Sequence, residues 1–197
     1  MNNKKHKHTG LYFGSFNPIH VGHLLIANYL IEFTDLDEIW FVVSPQNPLK
    51  PKNSLLAEHH RLAMVNIAIE GFDSFKASDI EFKLPKPSFT VYTLEVLREK
   101  YPDRSFSLIM GADNLQSLPK WKNYQTILDY SRIFVYPRPH IQQTEFDQHP
   151  SVTLVDAPLV EISSSFIRQG IKEGKNMCYF MHPEVFAYIG EMNFYKK

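Results

Sequence analysis

The sequence predicts an α/β fold, in which a Rossmann-like, doubly wound parallel sheet carries helices on both faces. Short apolar runs alternate with helical patterns along most of the 197 residues. Some runs are continuously apolar, as at 39–43, which is typical of strands covered on both faces. Parallel strands need crossover connections, which helices provide with right-handed geometry. The alternation therefore predicts a parallel sheet between two helical layers.

The individual elements follow from apolar periodicity and from residues that end helices. The second helix stops at Gly71, a suitable C-cap; the third ends before Pro102; and Pro119 interrupts the fourth. The predicted strands lie at 9–13, 38–44, 75–82, 105–110, 133–136 and 152–155. The predicted helices lie at 21–33, 57–70, 90–100, 113–130, 163–172 and 182–192.

Composition predicts one compact domain, residues 9–197, after a disordered N-terminus at residues 1–8. With 44% hydrophobic residues the chain can bury a sizeable core, but a second independent domain would have little room. The basic, histidine-containing residues 4–8 are expected to be a frayed, solvated terminus rather than a metal or polyanion site.

Charge and cysteine content exclude several classes of function. The 21 basic and 21 acidic residues balance, so no excess positive field attracts nucleic acid or an anionic membrane. No apolar run reaches the ~20 residues that span a bilayer. The single cysteine, Cys178, excludes an internal disulfide framework and a cysteine-based metal cluster. We therefore expect a soluble cytoplasmic protein with neither a nucleic-acid nor a membrane partner.

The most informative segment is the turn G-S-F-N-P-I-H-V-G-H at residues 14–23, between the first predicted strand and helix. It is expected at the carboxyl edge of a parallel strand, facing the unsatisfied N–H groups of the helix start. Gly14 and Gly22 let the backbone approach a ligand, and His20 and His23 supply donors that can follow negative charge on a phosphate. The pattern favours a phosphate-handling junction over a surface turn with two histidines.

Other predicted strand and helix ends add polar groups to the same edge. Lys50 stands on a proline-stiffened loop after the second strand. Asp113 begins the helix after the fourth strand as a cap or a binding group, and Trp121 is either core or a platform for a planar heterocycle. The serines at 163–165 and the guanidinium of Arg168 can both meet phosphate oxygens.

The turn resembles the (T/S)-x-P-x-H-x-G-H signature of the nucleotidyltransferase superfamily. From about Thr9 to Ile189 the chain is similar to the bacterial nicotinate-nucleotide adenylyltransferases, whose motifs are matched at residues 47–50, 87–94, 111–121 and 162–168. Asn17, Leu49 and Ser165 stand where that family usually has Asp, His and Thr.

The resemblance implies a role for each matching residue. The histidines contact the ATP phosphates, Trp121 stacks the pyridine ring, and Thr90 and the backbone near Lys122 meet the ring carboxylate. The implied catalytic residues are His20, His23, Lys50 and Arg168. The implied ATP-binding residues are Gly14, Ser15, Phe16, Gly22, Gly111, Asp113, Ile162, Ser163, Ser164 and Ser165. The implied substrate-binding residues are Asn47, Thr90, Trp121 and Lys122.

The resemblance also implies the reaction. The 5′-phosphate of nicotinate mononucleotide attacks the α-phosphorus of ATP, giving nicotinate adenine dinucleotide and pyrophosphate in NAD biosynthesis. No protein nucleophile is needed. Mg²⁺ is expected to be held mainly by the triphosphate and water, with no metal ligand assigned to the protein.

Several alternatives stay open at this point. The substrate could instead be nicotinamide mononucleotide or phosphopantetheine, although the phosphopantetheine enzymes lack the G-A-D…W segment. A non-catalytic ATP-sensing module is a further alternative, against which Trp121 and Thr90 argue. A class I synthetase fragment is disfavoured because the chain has no K-M-S-K-S loop. A zinc site from His20, His23, His59 and His60 is disfavoured because no cysteine assists. The oligomeric state is open, with a homodimer among the arrangements.

Overall fold

The computed structural model describes residues 6–45 and 55–196 of the chain. Within these ranges, six parallel strands form one sheet in the order β3-β2-β1-β4-β5-β6. The strands are β1 (Lys7–Gly14), β2 (Glu38–Val43), β3 (Phe75–Ser78), β4 (Arg104–Gly111), β5 (Ile133–Tyr136) and β6 (Val152–Leu154). The helices are α1 (Val21–Phe33), α2 (Glu58–Ile69), α3 (Thr90–Lys100), α4 (Ala112–Gln116), α5 (Tyr124–Tyr130), α6 (Ser164–Lys172) and α7 (Pro183–Glu191).

The predicted fold class is confirmed, and the strand order shows where a ligand should bind. The order reverses between β1 and β4, the two central strands, so the connections leave this point in opposite directions. A crevice opens at such a switch point, beyond the carboxyl ends of the strands. β1 ends at Gly14 and β4 ends at Gly111, so the residues after these glycines line the crevice.

Two apolar layers explain why the strands are buried. Side chains alternate between the faces of the sheet, so Leu11 packs into one layer and Tyr12 into the other. The layer containing Tyr12 is completed by α1, α2, α6 and α7, and the other by α3, α4 and α5. All six side chains of β2 are buried. The apolar run 39–43 predicts this burial for five of them, and the sixth belongs to Glu38.

The N-terminal boundary predicted at residue 9 is wrong, because β1 begins at Lys7. The His8 backbone N–H donates to Asp37 Oδ2 at 2.8 Å, and its Nε2 lies 2.7 Å from Ser107 Oγ. These contacts fix His8, which lies in the segment predicted to be disordered.

The predicted third strand is also too long. Its pairing with β2 ends at Ser78, and the chain then forms a 3₁₀ turn at Ile80–Lys83. Glu81 in this turn is buried and accepts a hydrogen bond from Thr93 Oγ1 at 2.9 Å. The predicted helix at 113–130 is divided into α4, a 3₁₀ turn at Leu118–Lys120 that contains the proline, and α5.

A charged cluster lies near the amino ends of the central strands, away from the crevice. Glu38 is 1% exposed, and its Oε1 accepts hydrogen bonds from Thr9 Oγ1 at 3.0 Å and Trp40 Nε1 at 2.8 Å. Arg104 forms an ion pair with the same oxygen, and the Lys76 ammonium lies 3.5 Å from Oε2. None of the helices in the described ranges has the length and apolar character needed to cross a membrane.

Candidate active site

Two histidines lie side by side where β1 passes into α1. His20 is the N-cap residue of α1, and its ring centroid lies 3.8 Å from that of His23 one turn later. The backbone N–H of His20 donates to His23 Nδ1 at 3.3 Å. Gly22 faces the same space, where an added Cβ would lie 3.1 Å from the His20 ring and from Val160. The turn therefore presents two imidazoles at the N-terminus of a helix, where anions are favoured.

His20 is neutral at physiological pH. Burial is the main influence that lowers its pKa to about 4, and the nearby charge of Arg138 acts in the same direction. The ring is only 5% exposed, and Nδ1 has no hydrogen-bond partner within the described residues. The free ring nitrogen of a neutral imidazole can form a hydrogen bond with a bound ligand.

The start of α6 is tied directly to the histidine turn. Ser164 Oγ donates to the Pro18 carbonyl at 2.9 Å, and Arg168 Nη1 donates to the Asn17 carbonyl at 2.8 Å. Arg168 Nη2 also donates to Ser165 Oγ at 3.1 Å, while Ser163 Oγ accepts from the Phe166 N–H as the N-cap. The histidine turn and the start of α6, about 150 residues apart in sequence, are thus joined by hydrogen bonds. Arg168 donates one of these bonds and so supports the turn.

Arg61 of α2 anchors the other side of the turn. Its side chain is fully buried, and its guanidinium donates to the Ser15, Ser44 and Leu56 carbonyls at 2.6, 2.9 and 2.9 Å. A longer contact of 3.4 Å reaches the Pro45 carbonyl. Only a guanidinium has enough donors in a fixed plane to bind so many carbonyl groups.

The ends of β4 and β5 supply a second charged group. Asp113 Oδ1 lies 3.6 Å from Arg138 Nε, and Arg138 Nη2 donates to the Tyr136 hydroxyl at 3.2 Å. The Tyr12 hydroxyl in turn donates to that of Tyr136 at 3.2 Å. Gly111 lies close to this pair, since a Cβ at this position would meet Asp113 Oδ1 and Arg138 Nε, and both side chains would have to shift.

Two adjoining recesses result from this arrangement. The histidine crevice is narrow and is lined by Tyr12, His20, Gly22, His23, Ile26, Tyr136, Pro137, Arg138, Val160 and Ile162. The tryptophan cleft, about 220 Å³, shares Tyr12 and Tyr136 with it. The other main side chains of this cleft are Glu81, Ser88, Phe89, Thr90, Asn114, Lys120, Trp121 and Lys122. The two tyrosines therefore separate an imidazole- and arginine-lined recess from an indole-lined one.

The structure brings nine of the predicted site residues to the walls of these recesses. His20, His23, Gly22 and Ile162 line the histidine crevice, while Gly14, Ser15, Thr90, Trp121 and Lys122 line the tryptophan cleft. Asp113 forms an ion pair with Arg138 beside Gly111, and Ser163, Ser164, Ser165 and Arg168 lie in the first turns of α6 or at its N-cap. The predicted Asn47 and Lys50 lie outside the described residues.

Phe16, which is predicted to bind ATP, lies in the core through its side chain. Its side chain is 2% exposed and packs edge-on against Tyr12, His23 and Phe41. Phe16 has a positive φ of 45°, and its ring fills the space beside Gly14, where an added Cβ would lie 2.7 Å from it. The ring therefore supports the turn from within the core, which leaves its backbone as the part that can face a nucleotide.

The four histidines considered for zinc form two separate pairs. His60 Nδ1 lies 2.9 Å from the Tyr188 hydroxyl, and its ring packs against Phe194. Among the residues described, no three His, Cys, Asp or Glu side chains are arranged to hold a metal ion.

Sequence analysis did not select Glu81, Ser88, Arg138 or Arg61. Arg138 follows β5 at the same sheet edge as the other site residues, so the strand-end rule could have found it. Glu81 lies within the predicted strand 75–82, where the sequence pattern gives no reason to select it as a site residue. The position of Arg61 depends on carbonyls that no sequence pattern reports.

Comparison with known proteins agrees with this geometry. The chain belongs to the cytidylyltransferase-like family, whose model matches residues 11–170. Within that family it groups with the nicotinate-nucleotide adenylyltransferases. It is 58% identical over 190 residues to a probable nicotinate-nucleotide adenylyltransferase of Flavobacterium johnsoniae, with 95% of this chain and 98% of that protein covered. A protein of the same description from Bacteroides thetaiotaomicron is 49% identical over 183 residues, with 93% and 91% covered.

The fold has also been seen in a solved structure. Plasmodium falciparum nicotinic acid mononucleotide adenylyltransferase complexed with NaAD superposes with a TM-score of 0.81 at 23% identity, covering 97% of this chain and 98% of that one.

Proposed function

We propose that this protein transfers the adenylyl group of ATP to nicotinate mononucleotide, which gives nicotinate adenine dinucleotide and pyrophosphate. One observation carries the proposal: two recesses of different chemistry adjoin at the switch point of the sheet. The histidine crevice suits a nucleotide with a polyphosphate, and the tryptophan cleft suits a flat ring. The names of relatives that match nearly the whole chain support the same reaction.

The chemistry needs two bound polyanions and no protein nucleophile. A phosphate oxygen of nicotinate mononucleotide attacks the α-phosphorus of ATP; the new P–O bond forms as the bond to the β-phosphate oxygen breaks, and pyrophosphate leaves. His20 and His23 would donate hydrogen bonds to the phosphate oxygens as charge shifts onto them. Holding the two substrates in line would supply much of the remaining acceleration.

The other site residues have supporting roles in this proposal. Gly14, Gly22 and the backbone of Ser15 and Phe16 would let the phosphates approach the turn. The start of α6 would close over ATP through Ile162 and the three serines, with Arg168 fixing it to the turn. Gly111 and Asp113 would face the adenylate, and Lys50 would assist the triphosphate.

The second substrate would lie in the tryptophan cleft. Trp121 would stack on the pyridine ring, while Thr90, Asn47 and the backbone near Lys122 would contact its polar groups. Mg²⁺ would enter as part of the ATP substrate, because imidazole, hydroxyl and guanidinium groups dominate this site and Asp113 is engaged by Arg138. A single cytoplasmic domain is the form in which we expect the enzyme to work.

The test is pyrophosphate release from ATP with three acceptors: nicotinate mononucleotide, nicotinamide mononucleotide and phosphopantetheine. Nicotinate mononucleotide should give the highest kcat/KM. The highest rate with phosphopantetheine would refute the assignment of the cleft, and ATP binding without turnover of any acceptor would identify an ATP-sensing module.

A further inference from the structure

Three buried polar atoms without hydrogen-bond partners belong to side chains that line the tryptophan cleft. They are Glu81 Oε2, Ser88 Oγ and Trp121 Nε1, as found within the described residues. A buried polar group without a partner costs about 1–3 kcal/mol, so several in one cleft indicate a site that a polar ligand completes. Of the three, only Glu81 can change its charge.

The protein holds Glu81 through hydroxyl groups, and one oxygen of its carboxyl group has no hydrogen-bond partner within the described residues. The carboxyl group is 2% exposed, and Thr93 Oγ1 donates to its Oε1 at 2.9 Å, which leaves Oε2 unused. Thr93 is itself fully buried in α3, so this contact fixes the carboxyl group. Burial raises the pKa of Glu81 above its usual range, although the hydroxyls of Thr93 and Ser44 oppose that effect.

The other titratable groups of the cleft do not neutralise Glu81. Lys120 and Lys122 line the cleft, as do the hydrogen-bonded Tyr12 and Tyr136. The Lys122 ammonium lies 4.8 Å from the ring centroids of both Phe89 and Tyr92, so it is engaged by aromatic faces. In the part of the chain that the structure describes, burial and the two hydroxyls are the influences on the Glu81 pKa, and no charged side chain is among them.

We propose that Glu81 determines specificity by sharing one proton with the ring carboxylate of the substrate. This inference rests on the proposed function, which brings an acidic ring into the same cleft. Two carboxylates in one desolvated site cannot both ionise cheaply, so the pair retains a proton between them. Glu81 Oε2 would then carry the proton and donate it in a hydrogen bond to the ring carboxylate, which satisfies both groups.

Glu81 would bind a ring carboxamide in its ionised form, as an acceptor and not as a donor. Ionised Glu81 accepts a hydrogen bond from the amide N–H, and no proton needs to be taken up. Rising pH would therefore weaken binding of the acid, by up to roughly tenfold for each pH unit above the shared pKa, but not of the amide. The preference for the acid over the amide should fall as pH rises.

Isothermal titration calorimetry tests this directly. Nicotinate mononucleotide and nicotinamide mononucleotide are titrated into the whole protein between pH 6 and 8, in buffers that differ in ionisation enthalpy. The two ligands carry the same phosphate, so the difference in their proton uptake reports the ring substituent. The wild type should take up close to one more proton with the acid, and Glu81→Gln should show no such difference.

Matched variants separate the possible results. Ser88→Ala removes a hydroxyl from the same cleft and should keep the additional proton uptake. If Glu81→Gln does not fold, Thr93→Val serves instead: loss of its hydroxyl raises the pKa of Glu81 and should move the pH profile for the acid to higher pH. Equal proton uptake for both ligands in the wild type, or the same excess in Glu81→Gln, would overturn the proposal. Neither result would affect adenylyl transfer, which the pyrophosphate assay measures separately.

Discussion

The hydroxyl of Tyr195 donates a hydrogen bond of 2.7 Å to Asn17 Oδ1, across 178 positions of sequence. The same Oδ1 accepts the Leu56 N–H at 3.3 Å, and the Asn17 carbonyl accepts from Arg168. Burial raises the pKa of Tyr195, which keeps its hydroxyl protonated as a donor. The asparagine of the histidine turn is thus fixed by contacts from well-separated parts of the chain.

Replacing Tyr195 with Phe should weaken ATP use while leaving the second substrate almost unaffected. One hydrogen bond contributes about 0.5–1.5 kcal/mol, so KM for ATP should rise roughly 2- to 12-fold. Steady-state kinetics with each substrate varied in turn measures the effect. Tyr179→Phe is the control, because that side chain is 93% exposed. An equal rise in both KM values would mean that Tyr195 serves the fold as a whole.

Folding stability should depend on pH through His20. Its pKa is about 4 in the folded protein, below the usual 6.5, so the unfolded chain binds more protons between these values. Stability is therefore fully present above pH 6.5 and is lost as pH falls towards 4, by about 3 kcal/mol. Urea unfolding of wild type and His20→Gln without nucleotide, at several pH values, measures the difference. Parallel stability curves for the two proteins would contradict this assignment.

Removing the indole of Trp121 should impair the second substrate selectively. Trp121→Ala should raise KM for nicotinate mononucleotide by an amount corresponding to ~1–3 kcal/mol, the range for stacking of a base on an aromatic side chain. KM for ATP should change little. Trp121→Phe retains a stacking face and should lose less. If Trp121 were only part of the core, the alanine variant would melt at lower temperature and affect both substrates alike.

Glu38 should matter for stability and not for catalysis. Burial acts to raise its pKa, but the Thr9 hydrogen bond and the charges of Lys76 and Arg104 outweigh burial and lower it. Glu38→Gln leaves Arg104 without its anion and should cost about 3 kcal/mol at neutral pH. Lys76→Ala, at a side chain 47% exposed, should cost less than ~1 kcal/mol. Unfolding curves test both values, and a changed kcat at saturating substrates in a folded variant would contradict the separation.

The sequence was most informative where one local pattern decides the structure. The bounds predicted for α1, at 21–33, and α3, at 90–100, match those observed. Each helix has a local apolar pattern, and Pro102 follows α3. The fold class followed from strands such as β2, whose apolar run requires cover on both faces. Residues that follow β1 and β4 could be assigned to the carboxyl edge of the sheet, because parallel strands end at the same edge.

The parts that failed depend on contacts between distant segments. The strand predicted at 75–82 includes residues 80–82, but the carboxyl group of Glu81 is turned inward to Thr93 and the chain forms a 3₁₀ turn there. The sequence pattern also did not indicate that the ring of Phe16, in the predicted ligand-binding turn, packs with Tyr12 and Phe41. Neither outcome can be read from spacing alone, since each is decided by which side chain fills a particular space.

Arg61 has a consequence for how this enzyme can vary. Its guanidinium binds the Ser44 carbonyl before the segment 46–54 and the Leu56 carbonyl after it. The guanidinium of Arg61 therefore binds the backbone on both sides of this segment. Changes in the length of the segment need not disturb the sheet, because loop length has a small effect on stability. The same cation also holds the Ser15 carbonyl of the histidine turn. One buried side chain thus joins the residues on both sides of the segment that carries Lys50 to the histidine turn.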